Sequence, residues 1–368
     1  MATQPAHEAF ANYTQRAVSP FVKLLTNFHS VPYQGESATR EQEQRDLYAF
    51  FQAFYADLYT RPELFGLPVN PDDSIAEGEP DEKDKKQAVK RLLDKPRNLI
   101  MAWLDFLTQA GIQGSLDGKA LRLDNGPALL KEYKVGKKTL AGLEHTGLAI
   151  AVSGAQAVLA SSRFAAMMPA LQVLAKHCAA YRDPWMGKFL FASCNFRALD
   201  GYKPQVGDFY RAFDGSQIQM VTELHDYFAS KGYKAEIGVH APFAWVVKYQ
   251  GDRKIKATPL YQVEYDDRYA RPLRMSIKCV STARLADLLP NQSQLLQADF
   301  ARRVTTCRGD ACGWCRNQKT LGPATMEILG EPRSVCWYTT PDVRKFDENT
   351  VELIQEYEQM HARLAPEK

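Results

Sequence analysis

The chain has 368 residues, of which 45% are hydrophobic and 24% are charged, the balance of an ordinary globular protein. A formal net charge of +3 is close to neutral for this length and argues against a nucleic-acid partner, because a dedicated nucleic-acid surface carries a strongly basic domain or stripe. There is no run of about 18 apolar residues, and residues 1–16 lack the apolar core of a signal peptide. We therefore expect a cytoplasmic protein without a membrane partner.

Residues 1–95 are predicted to form a helical N-terminal region. From residue 47 to residue 59, apolar and aromatic side chains recur at helical spacing, which is typical of an amphipathic helix with one face in the core. Residues 61–80 are rich in proline, glycine and acidic residues, a composition that predicts a surface loop. A charged helix then runs to about Asp94, and Pro96 is expected to begin the next helix.

Residues 96–205 and 206–368 are predicted to be two copies of one α+β unit. In each, a helix carries an aspartate six residues before a glycine that we expect to cap it, Asp105 with Gly111 and Asp226 with Gly232. A strand, a helix and a second strand are then predicted in each unit, at 148–153, 164–178 and 188–196 and at 273–280, 292–304 and 333–338. Chance similarity between two helix–strand segments is the alternative explanation. A final helix is predicted at 348–364, with an apolar face that consists of Leu353, Ile354, Tyr357 and Met360.

Four of the seven cysteines lie within a window of 30 residues that begins at Cys307. Cys307, Cys312 and Cys315 form a C-x4-C-x2-C cluster, and Cys336 follows 21 residues after Cys315. Thiolates are soft ligands, and two cysteines separated by two residues can turn both sulfurs toward one metal ion. The predicted fold class is therefore α+β, a helical N-terminal region followed by an internal duplication of a helix–sheet–helix unit, with a four-cysteine metal site in the second unit.

The cysteine spacing leaves three interpretations of this site. Zinc in a closed shell of four thiolates would be structural and inert to redox chemistry. An iron–sulfur cluster is the alternative cofactor, because plant-type [2Fe–2S] ferredoxins share the C-x4-C-x2-C spacing followed by a distant cysteine. Unliganded cysteines, or disulfides in an oxidised sample, are the third interpretation. The other three cysteines are widely separated, which fits a reducing compartment, and we interpret Cys178 and Cys194 as core residues.

No nucleotide-binding, metalloprotease or nucleophile-elbow motif occurs in the required context. His225 and His240 could approach one another, but a lone histidine is more often a surface residue or a satisfied core residue. Aromatic residues alternate along a predicted strand at Phe243 and Trp245. We expect that strand face to be core, and a small molecule to be the ligand of a cleft between the two units. The sequence thus predicts a zinc-binding module for a small molecule or protein, with an iron–sulfur redox protein or a cleft enzyme as the alternative. Oligomeric state and substrate stay open.

Overall fold

A computed structural model describes residues 13–25, 28, 31, 41–69, 83–210, 215–241, 244–251, 260–266, 273–278, 285, 287–304, 306–307, 324–335, 342–343 and 349–364. The chain divides into two compact units. Unit 1 comprises Met1–Pro204, Val239–Phe243 and Asp267–Ala270, and unit 2 comprises Gln205–Gly238, Ala244–Asp266 and Arg271–Lys368. None of the described helices is long and apolar enough to cross a membrane. The mixture of helix and sheet agrees with the predicted α+β class.

In the described part of unit 1, helices precede, connect and follow the strands of a small antiparallel sheet. The elements are α1 (Tyr13–Leu24), α2 (Glu41–Thr60), α3 (Lys83–Gln113), β1 (Ser115–Asp117), β2 (Ala120–Leu123), α4 (Gly126–Glu132), α5 (Lys137–Thr146), β3 (Ala149–Ser153), β4 (Gln156–Ala160), α6 (Met167–Ala179) and α7 (Pro184–Ala192). The strand order is β1-β2-β4-β3, and all pairs are antiparallel.

Helix α2 carries the aromatic stripe, and the prediction that this stripe belongs to the core is confirmed. Glu41 and Glu43 lie in its first turn, where negative charge is favourable beside the positive end of the helix dipole. Phe50, Phe51 and Phe54 are fully buried. Their rings pack on one another and on rings of later elements, such as Phe51 against Phe191 at a centroid separation of 5.6 Å.

Two predictions about helix α3, one made from Pro96 and one from Gly111, are wrong. Pro96 does not begin a helix but lies inside α3, where the lost backbone hydrogen bond is offset by a buried face that includes Leu93 and Ile100. Gly111 does not cap α3, which continues to Gln113. A Cβ at Gly111 would lie 2.6 Å from Cβ of Ala175, so the glycine allows α3 and α6 to approach closely.

In its described residues, unit 2 is built on an antiparallel sheet flanked by helices. The elements are α8 (Val206–Tyr210), α9 (Gly215–Ser230), β5 (Lys234–Ala241), β6 (Ala244–Gln250), β7 (Leu260–Asp266), β8 (Leu273–Lys278), α10 (Gln294–Arg303), β9 (Ala324–Ile328), β10 (Glu331–Val335), β11 (Asp342–Val343) and α11 (Thr350–Ala362). Five strands follow the order β11-β8-β7-β6-β5, and β9 and β10 form a separate hairpin.

Helix α9 ends as the sequence predicts. Gly232 has a φ of +78°, a backbone conformation that glycine adopts at low cost. The N–H of Tyr233 donates to the carbonyl of Phe228 at 2.9 Å, and the N–H of Gly232 donates to Ala229 at 3.0 Å. This pair of bonds satisfies the last carbonyls of the helix, so the prediction that Gly232 caps it is confirmed.

The predicted strand at 188–196 is wrong, because most of it belongs to helix α7. The Asp183 side chain caps α7 by accepting a bond from the N–H of Trp185, and Pro184 occupies its first turn. A short, continuously apolar run such as this one does not distinguish a buried strand from a buried helix.

The strand orders of the two regions differ, so the described structure does not show the predicted duplication. The sheet of unit 1 follows β1-β2-β4-β3, whereas β5 to β8 of unit 2 lie in sequential order. Single elements are nevertheless confirmed, namely the strands β3 and β8 and the helices α6, α10 and α11. The two predicted copies are therefore similar in local sequence pattern but differ in strand topology.

Candidate metal centre

Cys307 is the one predicted metal ligand among the described residues. It follows α10 by a short connection and lies against strand β10, where Thr306 forms an antiparallel bridge with Val335. The N–H of Cys307 donates to the carbonyl of Ser334 with a nitrogen–oxygen distance of 3.1 Å. Cys307 is half-buried. The beginning of the cysteine-rich segment is thus held next to the strand that precedes the last cysteine of the segment.

The register of this bridge has a consequence for side-chain direction. In an antiparallel ladder, residues directly opposite one another share a face, and side chains alternate between faces along each strand. With Thr306 opposite Val335, Cys307 lies opposite Ser334. Cys336 follows Ser334 by two positions in the sequence.

Cys312, Cys315 and Cys336 lie outside the described residues. Within the part of the chain that the structure describes, no group of three or more histidine, cysteine, aspartate or glutamate side chains is arranged to hold a metal ion. Only one of the four predicted ligands falls in that part, so the four-cysteine site stays a prediction.

Cys178 and Cys194 are buried in unit 1, which confirms their interpretation as core residues. Cys178 lies on α6, and Cys194 follows α7 with a φ of +46°. Burial raises the pKa of both thiols, and for Cys194 the nearby Cys178 adds to this effect. A thiol that stays protonated is a poor nucleophile and a poor metal ligand. A role in core packing therefore suits these two cysteines better than a nucleophilic or metal-binding role.

His225 on α9 takes part in a chain of hydrogen-bonding side chains in unit 2. Its Nδ1 lies 3.1 Å from the hydroxyl of Tyr249, which also contacts the hydroxyl of Tyr210. Burial raises the pKa of both tyrosines. The predicted neighbour of His225, the side chain of His240, lies outside the described residues. Because their pKa values are raised, the phenols of Tyr210 and Tyr249 stay protonated. The hydrogen-bonded side chains of Tyr210, His225 and Tyr249 link helices α8 and α9 to strand β6.

The predicted aromatic strand face belongs to the core where the structure describes it. Trp245 and Val247 on β6 are buried, as is Tyr249 further along the same strand. Phe228 on α9 packs its ring against Tyr249 and against Tyr261 of β7, both at 4.7 Å between ring centroids. The side chain of Phe243 lies outside the described residues.

Sequence reasoning missed several buried polar groups on helix α11. The Glu358 carboxylate is 5% exposed and accepts hydrogen bonds from the hydroxyls of Tyr227 at 3.0 Å and Tyr233 at 3.2 Å. Burial and the Glu358 carboxylate raise the pKa of Tyr227 to about 12. On α10, buried Asp299 accepts from the Tyr357 hydroxyl at 3.1 Å.

His361 is the most unusual of these groups. It is 2% exposed, and its Nδ1 lies 2.7 Å from the Tyr357 carbonyl, so Nδ1 carries the hydrogen. Its Nε2 is buried with no hydrogen-bond partner in the described residues. Burial lowers the pKa of His361 to about 4, although the bond to Tyr357 acts in the opposite direction. The imidazole is therefore neutral near neutral pH.

One signal in the sequence could have found these groups. The predicted apolar face of α11 contains Ile354 and Tyr357, and Glu358 and His361 stand four residues after them. Residues four apart share a helix face, so both polar side chains lie on the face that is expected to be buried. Polar groups in such positions require hydrogen-bond partners, which here come mainly from tyrosines.

Comparison of the chain with protein-family models, with curated proteins and with solved structures gives no match.

Proposed function

We propose that this protein is a zinc-stabilised binding module in which Cys307, Cys312, Cys315 and Cys336 hold one structural zinc ion. A small molecule or another protein would be the partner of the module. A site closed by four thiolates leaves no coordination position for a substrate, so the metal would act on folding and not on a chemical step.

The position of Cys307 against β10 is the observation that carries this proposal. Its N–H donates to the carbonyl of Ser334, and Cys336 stands two residues after Ser334 in the sequence, so a continuing strand would make Cys307 and Cys336 diagonal neighbours. Diagonal neighbours of this kind in an antiparallel ladder lie about 7–8 Å apart at their backbones, and their side chains point to one side. Two sulfurs on such side chains can reach one ion at about 2.3 Å each.

The connection between Cys315 and Cys336 explains why a metal would be useful there. It contains Gly322 and Pro323, followed by the two-stranded β9–β10 hairpin, whose last residue Val335 directly precedes Cys336. An isolated two-stranded hairpin is marginally stable in water. Four thiolates would fasten the hairpin to the end of α10, and metal binding and folding would be coupled because the ligands converge only in the folded chain.

Metal analysis of the purified full chain, combined with thermal unfolding, tests the proposal. We expect a colourless protein with one zinc per chain. Removal of zinc by a chelator should lower the melting temperature by at least several degrees, since about 1 kcal/mol corresponds to about 2–4 °C in a domain of about 150–250 residues. Hydrogen exchange should show that the loss of protection begins in β9 and β10.

Two cysteine variants separate metal loss from general destabilisation. Cys336→Ser should lose the zinc and reproduce the effect of the chelator. Cys178→Ala removes a buried cysteine of unit 1 and should lower stability while the zinc content stays at one per chain. A brown protein with iron and labile sulfide would contradict zinc in favour of the iron–sulfur alternative, and an unchanged melting temperature after verified zinc removal would contradict a structural role.

A further inference from the structure

The four-stranded sheet of unit 1 ends in a strand whose outer edge is open. Strand β3 pairs with β4 on one side, and no described strand pairs with its other side. Its sequence is A-I-A-V-S, and Val152 is 50% exposed although it is apolar. An edge of this kind presents unpaired N–H and C=O groups that can accept another strand.

The two edges of this sheet differ in how they are protected. Proteins block sheet edges with charged residues, prolines, bulges or very short strands. Strand β1 at the other edge has three residues and includes Asp117. Strand β3 has five residues, no charge and no proline, and its register with β4 runs without a bulge from Ala149 to Ser153. Only the β3 edge is therefore suited to further pairing.

The hairpin geometry shows which backbone groups the open edge presents. Ser153 pairs with Gln156 across a two-residue loop, and the pair that flanks such a loop exchanges hydrogen bonds. Hydrogen-bonded and non-hydrogen-bonded pairs alternate along an antiparallel ladder. The N–H and C=O groups of Ile150 and Val152 consequently point away from β4, toward the open edge.

We propose that the β3 edge is a homodimer interface, in which β3 pairs antiparallel with β3 of a second copy about a two-fold axis at Ala151. This register places Ile150 opposite Val152 of the partner subunit. Both residues have outward backbone groups, so the two copies exchange four backbone hydrogen bonds. A two-fold interface requires a self-complementary surface, and the order small–Ile–Ala–Val–small meets this requirement.

Charge and side-chain exposure favour a second copy as the occupant. Residues 146–162 contain no charged residue and no histidine, so two copies of this segment meet without like-charge repulsion. In the paired register, exposed Val152 gains an apolar neighbour on the same sheet face, which removes part of its surface from water. The result is one continuous eight-stranded sheet across the two subunits.

The mass of the full-length protein in solution, measured by light scattering over a concentration series, tests the proposal. We expect a dimer that dissociates on dilution. Ala151→Lys places two ammonium groups opposite each other at the two-fold axis and should raise the dimer dissociation constant by at least about tenfold, because directly opposed like charges destabilise a strand pair. Ala151 is exposed, so the subunit should stay folded.

Val158→Lys is the matched control. Val158 lies opposite Ala151 on the interior strand β4 and is 36% exposed. Its counterparts in a dimer would be three strand spacings apart, about 14 Å, given about 4.8 Å per spacing. That separation exceeds the screening length of about 10 Å in about 0.1 M salt. This variant should therefore remain dimeric.

Val152→Pro tests the backbone bonds directly. Proline lacks an N–H, and it is tolerated on an edge strand where that N–H faces solvent. If the N–H of Val152 points outward, the variant should keep a wild-type circular-dichroism spectrum and become monomeric. A wild-type protein that is monomeric at all concentrations overturns the proposal. In that case, a different extended chain would be the candidate partner of the β3 edge. A dimer that survives both Ala151→Lys and Val152→Pro overturns it as well.

Discussion

The cores of the two units differ in their share of tyrosine. Phenylalanines such as Phe50, Phe51 and Phe54 outnumber tyrosines among the buried rings described in unit 1, whereas tyrosines such as Tyr249 and Tyr357 make up half of those described in unit 2. A buried phenylalanine needs only apolar neighbours, but a buried tyrosine hydroxyl needs a hydrogen-bond partner. The first core depends on close packing and the second on a set of polar contacts, and their responses to mutation and pH should differ accordingly.

The largest expected effect is the loss of packing in unit 1. Phe54 contacts the rings of Phe50 and Phe65 at centroid separations of 5.9 and 5.7 Å. Phe54→Ala should lower the free energy of unfolding by about 3–5 kcal/mol, because it leaves a cavity that the neighbouring rings fill only in part. Urea unfolding measures this loss, and hydrogen exchange should locate it in unit 1.

Val69→Ala is the control for this comparison. Val69 is exposed, so its truncation should change stability by no more than about 0.5 kcal/mol. Equal destabilisation by the two variants would contradict the assignment of Phe54 to a tightly packed core.

The next effect is a pH dependence confined to unit 2. His361 is buried and neutral, and burial lowers its pKa to about 4, whereas an unfolded histidine has a pKa near 6.5. Between these values the unfolded state binds more protons than the folded state, so stability falls as pH is lowered from about 6.5 to about 4. The full loss is about 3 kcal/mol, since each pKa unit corresponds to about 1.4 kcal/mol.

His361→Leu should remove this component, and thermal unfolding at pH 7.0, 6.0, 5.0 and 4.5 measures it. Thiolates of the proposed zinc site also become protonated in acid, so the informative quantity is the difference between the variant and the wild type. His145→Gln, on the exposed surface of α5, serves as the control and should retain the wild-type pH dependence. An identical pH profile for His361→Leu and wild type would argue against a buried neutral imidazole.

The smallest effect concerns the β9–β10 turn of unit 2. Leu329 and Gly330 connect the strands with φ values of +55° and +79°, and Leu329 is 49% exposed. A two-residue turn of this form favours Asn-Gly, because asparagine tolerates positive φ better than leucine does. Leu329→Asn should raise stability by up to about 1 kcal/mol, because the left-handed conformation costs most L-residues about 1–2 kcal/mol and asparagine adopts it more readily. Leu329→Ala keeps the unfavourable φ and should give no comparable gain in stability. Equal gains from both variants would mean that removal of the exposed leucine side chain, and not relief of the φ, stabilises the protein.

Local pattern in the sequence was sufficient for many of the elements. The aromatic stripe of α2, the apolar face of α11 and the glycine cap of α9 depend on residues within a few turns of one another, and all three are confirmed. The four-cysteine metal site was predicted from spacing alone and stays a prediction. Helical periodicity and capping are local properties, so they can be read without knowledge of the partner surface.

Only the tertiary structure decided the points at which distant parts of the chain meet. Packing keeps α3 continuous through Pro96, and close contact with α6 explains Gly111. The strand orders of the two predicted copies differ, and the N–H of Cys307 donates to Ser334 of strand β10. The partners of Glu358 are Tyr227 on α9 and Tyr233 just after it, and those of His361 are the backbone of α11 and Tyr261 on β7. Register, burial and hydrogen-bond partnership depend on non-local contacts, which no local periodicity encodes.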